Sequence, residues 1–239
     1  MTHLILWRKP VEKTLEVLPE EAFDLFSIFR EAEEDFRPNY QTARRKRDAK
    51  PITWDEKTFR NALLGRPVNQ GNTLLGELGY SISFFSSVEE ERSVGYRLHI
   101  GNRDPKFVDT FVVDIPESAC NSRLFSLEAI EDTFRRCIAA FHPFWGCVDD
   151  RCPPEDGYLT WDRKRPMGVC WMNYWDTAMA LQVGLLHIRR ACGAMPEASW
   201  RDGVFRTGRE PLRRTPERVE ILNHILRLDA RANSTREQK

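Results

Sequence analysis

The sequence predicts an α+β protein, a mainly antiparallel β-sheet packed by flanking helices. Three observations point there. Apolar positions alternate through Tyr80, Ile82 and Phe84, then Val94, Tyr96, Leu98 and Ile100, then Phe107, Phe111, Val113 and Ile115. The links between them, at Glu89–Glu91 and Gly101–Pro105, are short and rich in turn residues, as an antiparallel meander requires. Segments of helical periodicity stand before and after this run rather than between its strands.

The first helix is expected over Pro19–Phe36. Pro19 suits a first helical position, Glu20 and Glu21 favour the positive end, and Phe23, Phe26, Phe29 and Phe36 form one stripe. Gln41–Lys50 is basic and reads as an exposed loop. Thr53-Trp54-Asp55-Glu56 has the form of a capping box, with Thr53 covering an end amide and Glu56 reaching back. The helix it opens carries Phe59, Leu63 and Leu64 and stops at Gly65, with Pro67 beyond. The three strands of the meander follow.

After the meander, Ser126 caps a helix whose stripe is Leu127, Ile130, Phe134, Ile138 and Phe141. Tyr158–Trp161 and Val169–Trp175 read as two further strands. A helix is expected over Met179–Cys192 and a short strand over Gly203–Arg206. Thr215-Pro216 opens a last helix through Leu228, with Val219, Leu222, Ile225 and Leu226 facing inward. No internal repeat is visible. Residues 1–229 are read as a single domain and 230–239 as a flexible polar tail.

With 239 residues and 41% hydrophobic content, the chain can bury a substantial core. Its 36 basic and 36 acidic residues balance, against the basic excess of a protein that coats nucleic acid. The N-terminal apolar run is too short for a signal peptide, and no stretch reaches the length of a membrane span. Cys120, Cys137, Cys147, Cys152, Cys170 and Cys192 are scattered, which suits reduced, mostly buried thiols. A cytoplasmic protein without cofactors is the expectation.

Chemistry-bearing patterns are few. Asp150 with Asp162-Arg163-Lys164 has the form of a metal-dependent nuclease, two carboxylates and a lysine around Mg²⁺. Lys164, however, sits in a basic stretch that reads as an exposed turn. His142, Cys147 and Cys152 are spaced too widely for the usual zinc pairs and lack a fourth ligand, so no metal is expected. There is no Gly-x-Ser-x-Gly, no phosphate loop and no His-Glu-x-x-His. These absences point away from an enzyme.

The densest feature is the aromatic run from Phe141 to Asp176, which holds Trp145, Trp161, Trp171 and Trp175, four of the seven tryptophans. A strand over Val169–Trp175 carries bulk on both faces, so Trp171 and Trp175 read as core. For Phe144 and Trp145, beside Asp149-Asp150 and ahead of Pro153-Pro154, core and surface both stay open.

Pro143-Phe144-Trp145-Gly146, Gly157-Tyr158-Leu159-Thr160-Trp161 and Pro166–Trp175 resemble the immunity protein 52 family of bacterial polymorphic-toxin and type VI secretion systems. The likeness covers most of the chain in its order of elements. It implies a non-enzymatic α+β protein that binds a cognate toxin, commonly one with a restriction-endonuclease-like nuclease domain, and touches neither nucleic acid nor membrane. Trp161, Trp171, Tyr174 and Trp175 carry the family motif and would be structural. The even charge departs from the strongly acidic character of many nuclease inhibitors and does not suit a simple DNA mimic. Carboxylates can still steer association with a basic cleft. On that logic the candidate toxin-binding residues are Glu89, Glu90 and Glu91 on a hairpin tip, with Phe144, Trp145, Asp149, Asp150, Glu155 and Asp156. The rival readings are the metal-dependent nuclease of Asp150, Asp162 and Lys164, and an adaptor without a toxin partner.

Overall fold

The chain opens with a strand, β1 (Thr2–Arg8), that the sequence reading does not assign. It pairs antiparallel with β8 (Asp109–Ile115) over its full length, from Thr2 opposite Ile115 to Arg8 opposite Asp109. The computed structural model describes residues 1–11, 16–31, 36–42, 48–64, 69–70, 73–74, 78–118, 127–150, 165–195, 197–208 and 216–228. They fall into two units, Met1–Pro143 and Phe144–Lys239. Both are built from antiparallel strands and helices, so the class is α+β, as the sequence predicts.

In the first unit the expected meander is present as β6 (Tyr80–Phe85), β7 (Gly95–Ile100) and β8, each antiparallel to the next. Phe107 is not part of it. A turn closed by its N–H to the Asp104 carbonyl leaves Phe107 46% exposed, and β8 begins two residues later. Short strands β2 (Tyr40–Gln41) and β3 (Lys50–Pro51) extend the edge beyond β6, giving the order β1-β8-β7-β6-β2-β3. A separate two-residue hairpin joins β4 (Asn69–Gln70) to β5 (Thr73–Leu74).

Helices α1 (Val17–Arg30), α2 (Glu56–Leu64) and α3 (Leu127–Phe141) cover one face of this sheet. Phe26 of α1 is the hub. Its ring meets Phe84 edge-on at 4.8 Å and Phe111 at 5.6 Å, and it lies 5.6 Å from Phe59 of α2. Edge-to-face pairs of this kind add to the gain from burying their area. Tyr96 is fully buried beside Phe29 and donates its hydroxyl proton to the Phe36 carbonyl. Burial pushes its pKa well above the ordinary value, so the hydroxyl stays a donor.

Two expected boundaries move. Helix α1 ends at Arg30, where the Glu31 N–H still reaches the Ser27 carbonyl, so Phe36 packs from beyond the helix rather than along its stripe. The cap of α2 is Asp55, not Thr53. An Asp55 carboxylate oxygen accepts the Thr58 N–H at 2.8 Å, and hydrogen bonding first from the Thr58 side chain and then from that N–H lowers the pKa of the acid. A carboxylate beside the positive helix end outcompetes a hydroxyl two residues upstream.

The second unit has the strand order β9 (Trp145–Asp149), β10 (Met172–Trp175), β12 (Val204–Arg206) and β11 (Ser199–Arg201), all antiparallel. β12 matches the expected short strand; β9 and β11 are unassigned by the sequence reading. The β11–β12 link uses Asp202 and Gly203 at φ 51° and 78°, the paired left-handed conformation that suits two-residue hairpins. The expected strand Val169–Trp175 is shortened to four residues because Asn173 diverts the chain before it. Its side chain accepts from the Cys170 N–H and donates to the Cys170 and Phe205 carbonyls, replacing ladder bonds.

The helix expected over Met179–Cys192 is two helices, α4 (Thr177–Val183) and α5 (Leu185–Ala194), divided at Gly184. Gly184 has φ +94°, where a side chain is strained. α6 (Pro216–Leu226) packs on α5 and buries Leu222 and Leu226 as expected. Asn223 of α6 accepts the Val169 N–H, fixing the segment that leads into β10. The expected strand Tyr158–Trp161, the cap Ser126 and the tail 230–239 lie outside the described residues. No helix among those described is long and apolar enough to cross a membrane.

Candidate interaction surfaces

The hairpin tip between β6 and β7 is built by serines. The Ser86 N–H donates to the Val94 carbonyl, while the Ser86 hydroxyl accepts the Val94 N–H at 3.0 Å. The Ser87 hydroxyl accepts the Glu89 N–H, and Glu90–Arg92 form a 3₁₀ turn. Ser118 donates to the Glu91 carbonyl and ties the tip to the end of the meander. Val88, Glu89 and Glu91 are consequently held at an exposed corner. Of Glu90 the backbone alone is described.

The described part of the expected patch, Phe144–Asp150, is largely interior. Phe144 is 6% exposed, Trp145 1% and Asp149 4%, because β9 is buried at all five positions. The choice left open for Phe144 and Trp145 is therefore decided for the interior. Asp149 turns its carboxylate back on its own chain and accepts the Asp150 N–H at 2.8 Å. Asp150 is half-buried. Glu155 and Asp156 lie outside the described residues, as do Trp161, Asp162, Lys164 and Cys152. The nuclease arrangement of Asp150, Asp162 and Lys164 therefore has one described member. His142 is exposed while Cys147 is fully buried five residues away.

Trp171 and Trp175 of the Trp-rich run are core. Trp171 is fully buried and donates from Nε1 to the Gly208 carbonyl at 3.1 Å. Trp175 stacks on Phe205 at 5.6 Å and lies 5.8 Å from Trp200, while its Nε1 finds no partner among the described residues. Tyr174 is half-buried against Gly203, whose missing Cβ would sit 2.8 Å from the Tyr174 ring. These groups hold the unit together.

Sequence reasoning missed two polar constellations in the first unit. Arg8, at the end of β1, is buried with its guanidinium on Asp109 at 2.8 and 3.2 Å, on Glu21 at 3.3 Å, and 4.7 Å from the Phe141 ring centroid. The second lies across β1, β8 and β7, where His3 Nδ1 and the Arg97 guanidinium flank the two oxygens of Asp114 at 2.8 and 2.9 Å. Burial would raise the Asp114 pKa, but the His3 hydrogen bond and the Arg97 charge outweigh it and lower the pKa. Neither could be read locally, since the partners are 101 and 111 positions apart.

A further surface stands on the α4–α5 elbow. Leu181, Leu185 and Leu186 are 62%, 47% and 60% exposed, and Arg189 and Arg190 follow one turn on, also exposed. A signal was present in the sequence: Gly184 interrupts the apolar run, so no single helical stripe can bury all its leucines.

These elements define an α+β fold with a fixed acidic hairpin tip and a tryptophan-based core. Its architecture is similar to that of the Pseudomonas aeruginosa T6SS protein PA0821, with a TM-score of 0.59 and 14% identity, over 95% of this chain and 75% of that one. At that identity the likeness is one of fold. No protein-family model matches the chain, and no curated protein does.

Proposed function

We propose that this chain is a cytoplasmic immunity protein that binds and neutralises a cognate secreted nuclease-type toxin by stoichiometric complex formation, without catalysis of its own. The observation that carries the reading is the fold likeness to a T6SS protein over 95% of the chain. The Trp-rich run, read by itself, resembles an immunity family of the same secretion systems. The buried Trp145, Trp171 and Trp175 suit a rigid scaffold, and a rigid scaffold lowers the ordering cost of a tight complex.

Glu89 and Glu91, exposed on a pinned tip, would steer the toxin's basic cleft during encounter. Charge reversal at both positions is expected to slow association, more at low salt than at high.

The direct test is co-expression with the toxin that this reading expects to be encoded beside the gene. Rescue of growth and co-purification of a stable complex are expected. Failure of both would overturn the reading. So would Mg²⁺-dependent plasmid cleavage by the purified chain that is lost in Asp162→Ala.

A further inference from the structure

Resting on that reading, we infer that the α4–α5 elbow is a second contact surface for the toxin. It would take an apolar, carboxylate-rimmed patch of that partner outside the DNA-binding cleft.

Three of the four large apolar side chains exposed among the described residues of 144–239 are Leu181, Leu185 and Leu186; the fourth is Ile221. Single exposed leucines need no explanation, but three within six residues form a patch of the kind that marks interaction sites. The elbow holds them out rigidly. Asp176 caps α4 by accepting the Met179 N–H at 2.8 Å, and Gly184 donates to Ala180 and accepts from both His187 and Ile188. Beneath, Val183, Ile188 and Ala191 are buried, so turning the leucines inward would expose this set instead.

Charge selects the partner. Arg189 and Arg190 lie four positions after Leu185 and Leu186 and so border them on the helix surface. Neither has an ion-pair partner among the described residues, and Thr177–Ala194 contains no carboxylate. Burial first, then the charges of Arg227, Arg190 and Arg165, lower the pKa of His187. A second copy of the chain would set these arginines against themselves. Single-stranded nucleic acid would want aromatic side chains on which bases stack, and the phosphates of a duplex would leave the three exposed leucines uncovered. A phosphate-binding cleft is itself basic and would repel Arg189 and Arg190. A protein patch with apolar side chains and a carboxylate rim satisfies both features.

The test uses the full-length chain and the co-encoded toxin in a catalytically inactive form. Binding is measured for wild type, Leu185→Ser/Leu186→Ser and Arg189→Glu/Arg190→Glu. The leucine variant is expected to raise Kd about tenfold or more, chiefly through dissociation. The arginine variant is expected to slow association by an amount that shrinks as salt is raised. Melting temperatures matching wild type are expected for both, since the altered side chains are exposed, and this separates lost contact from lost fold. If both variants bind as wild type does, the elbow inference falls while the immunity reading stands. If wild type binds no toxin, the reading falls and takes the inference with it. Binding to phosphatidylglycerol vesicles that the leucine variant loses, with toxin affinity unchanged, would assign the elbow to a membrane and overturn the proposal.

Discussion

Replacing Asp109 by Ala should cost more stability than any surface charge in the first unit. Asp109 is fully buried and accepts from Arg8 Nε and Nη2 at 3.2 and 2.8 Å and from Asn102 N and Nδ2 at 3.1 and 3.3 Å. The substitution leaves a guanidinium, whose side chain is 5% exposed, without its main counter-charge. Breaking a buried pair from one side costs about 3–5 kcal/mol. Glu21, 3.3 Å from Arg8 Nη1 and 22% exposed, retains part of the compensation, so the lower end, about 3 kcal/mol, is the expected value. Urea unfolding followed by far-ultraviolet circular dichroism measures it. The double variant Arg8→Met/Asp109→Leu removes both charges and should recover most of the loss, because the penalty comes from an uncompensated charge rather than from a missing attraction. A cost below about 1 kcal/mol for Asp109→Ala, or a double variant no more stable than the single one, would refute the argument.

Three further outcomes are expected. Trp171→Phe keeps an aromatic ring but strands the Gly208 carbonyl, at a cost of about 1–3 kcal/mol by urea midpoint; an unchanged midpoint would remove that hydrogen bond from the account. Asp114 has a folded pKa below its ordinary 3.8, so the stability it contributes is present above the unfolded value and lost as pH falls through the folded one. The urea-midpoint gap between wild type and Asp114→Asn should therefore hold steady above about pH 5 and narrow below about pH 4; a gap independent of pH would contradict the ion-pair account. Asp55→Ala should lower the melting temperature of the chain more than Thr53→Ala does, since Asp55 makes the cap; the reverse order would restore the capping box.

Legibility followed the range of the interactions involved. The meander could be read because its alternation runs through three successive strands joined by short turns, and α3 because its stripe spans 15 residues. β9 and β11 could not, being short segments whose strand character comes from the neighbour they pair with, and the seven-residue β1 could not because its apolar run Leu4-Ile5-Leu6-Trp7 does not alternate. The surface acids Glu89 and Glu91 sit where turn chemistry puts them. Phe144, Trp145 and Asp149 do not follow their local polarity, because β9 pairs with β10 along Trp145 to Val148 and is buried throughout.

The sequence by itself determined the α+β class, the antiparallel meander, the stripes that seat α3 and α6, and the core character of Trp171 and Trp175. These rest on periodicity and side-chain volume, which act over a few residues. Tertiary structure alone decided that Arg8 is buried on Asp109, that Asn173 shortens its own strand, and that Gly184 splits one apolar run into an elbow with its leucines outward. Each depends on groups that become neighbours only when distant segments pair, and no local pattern encodes a partner 101 positions away.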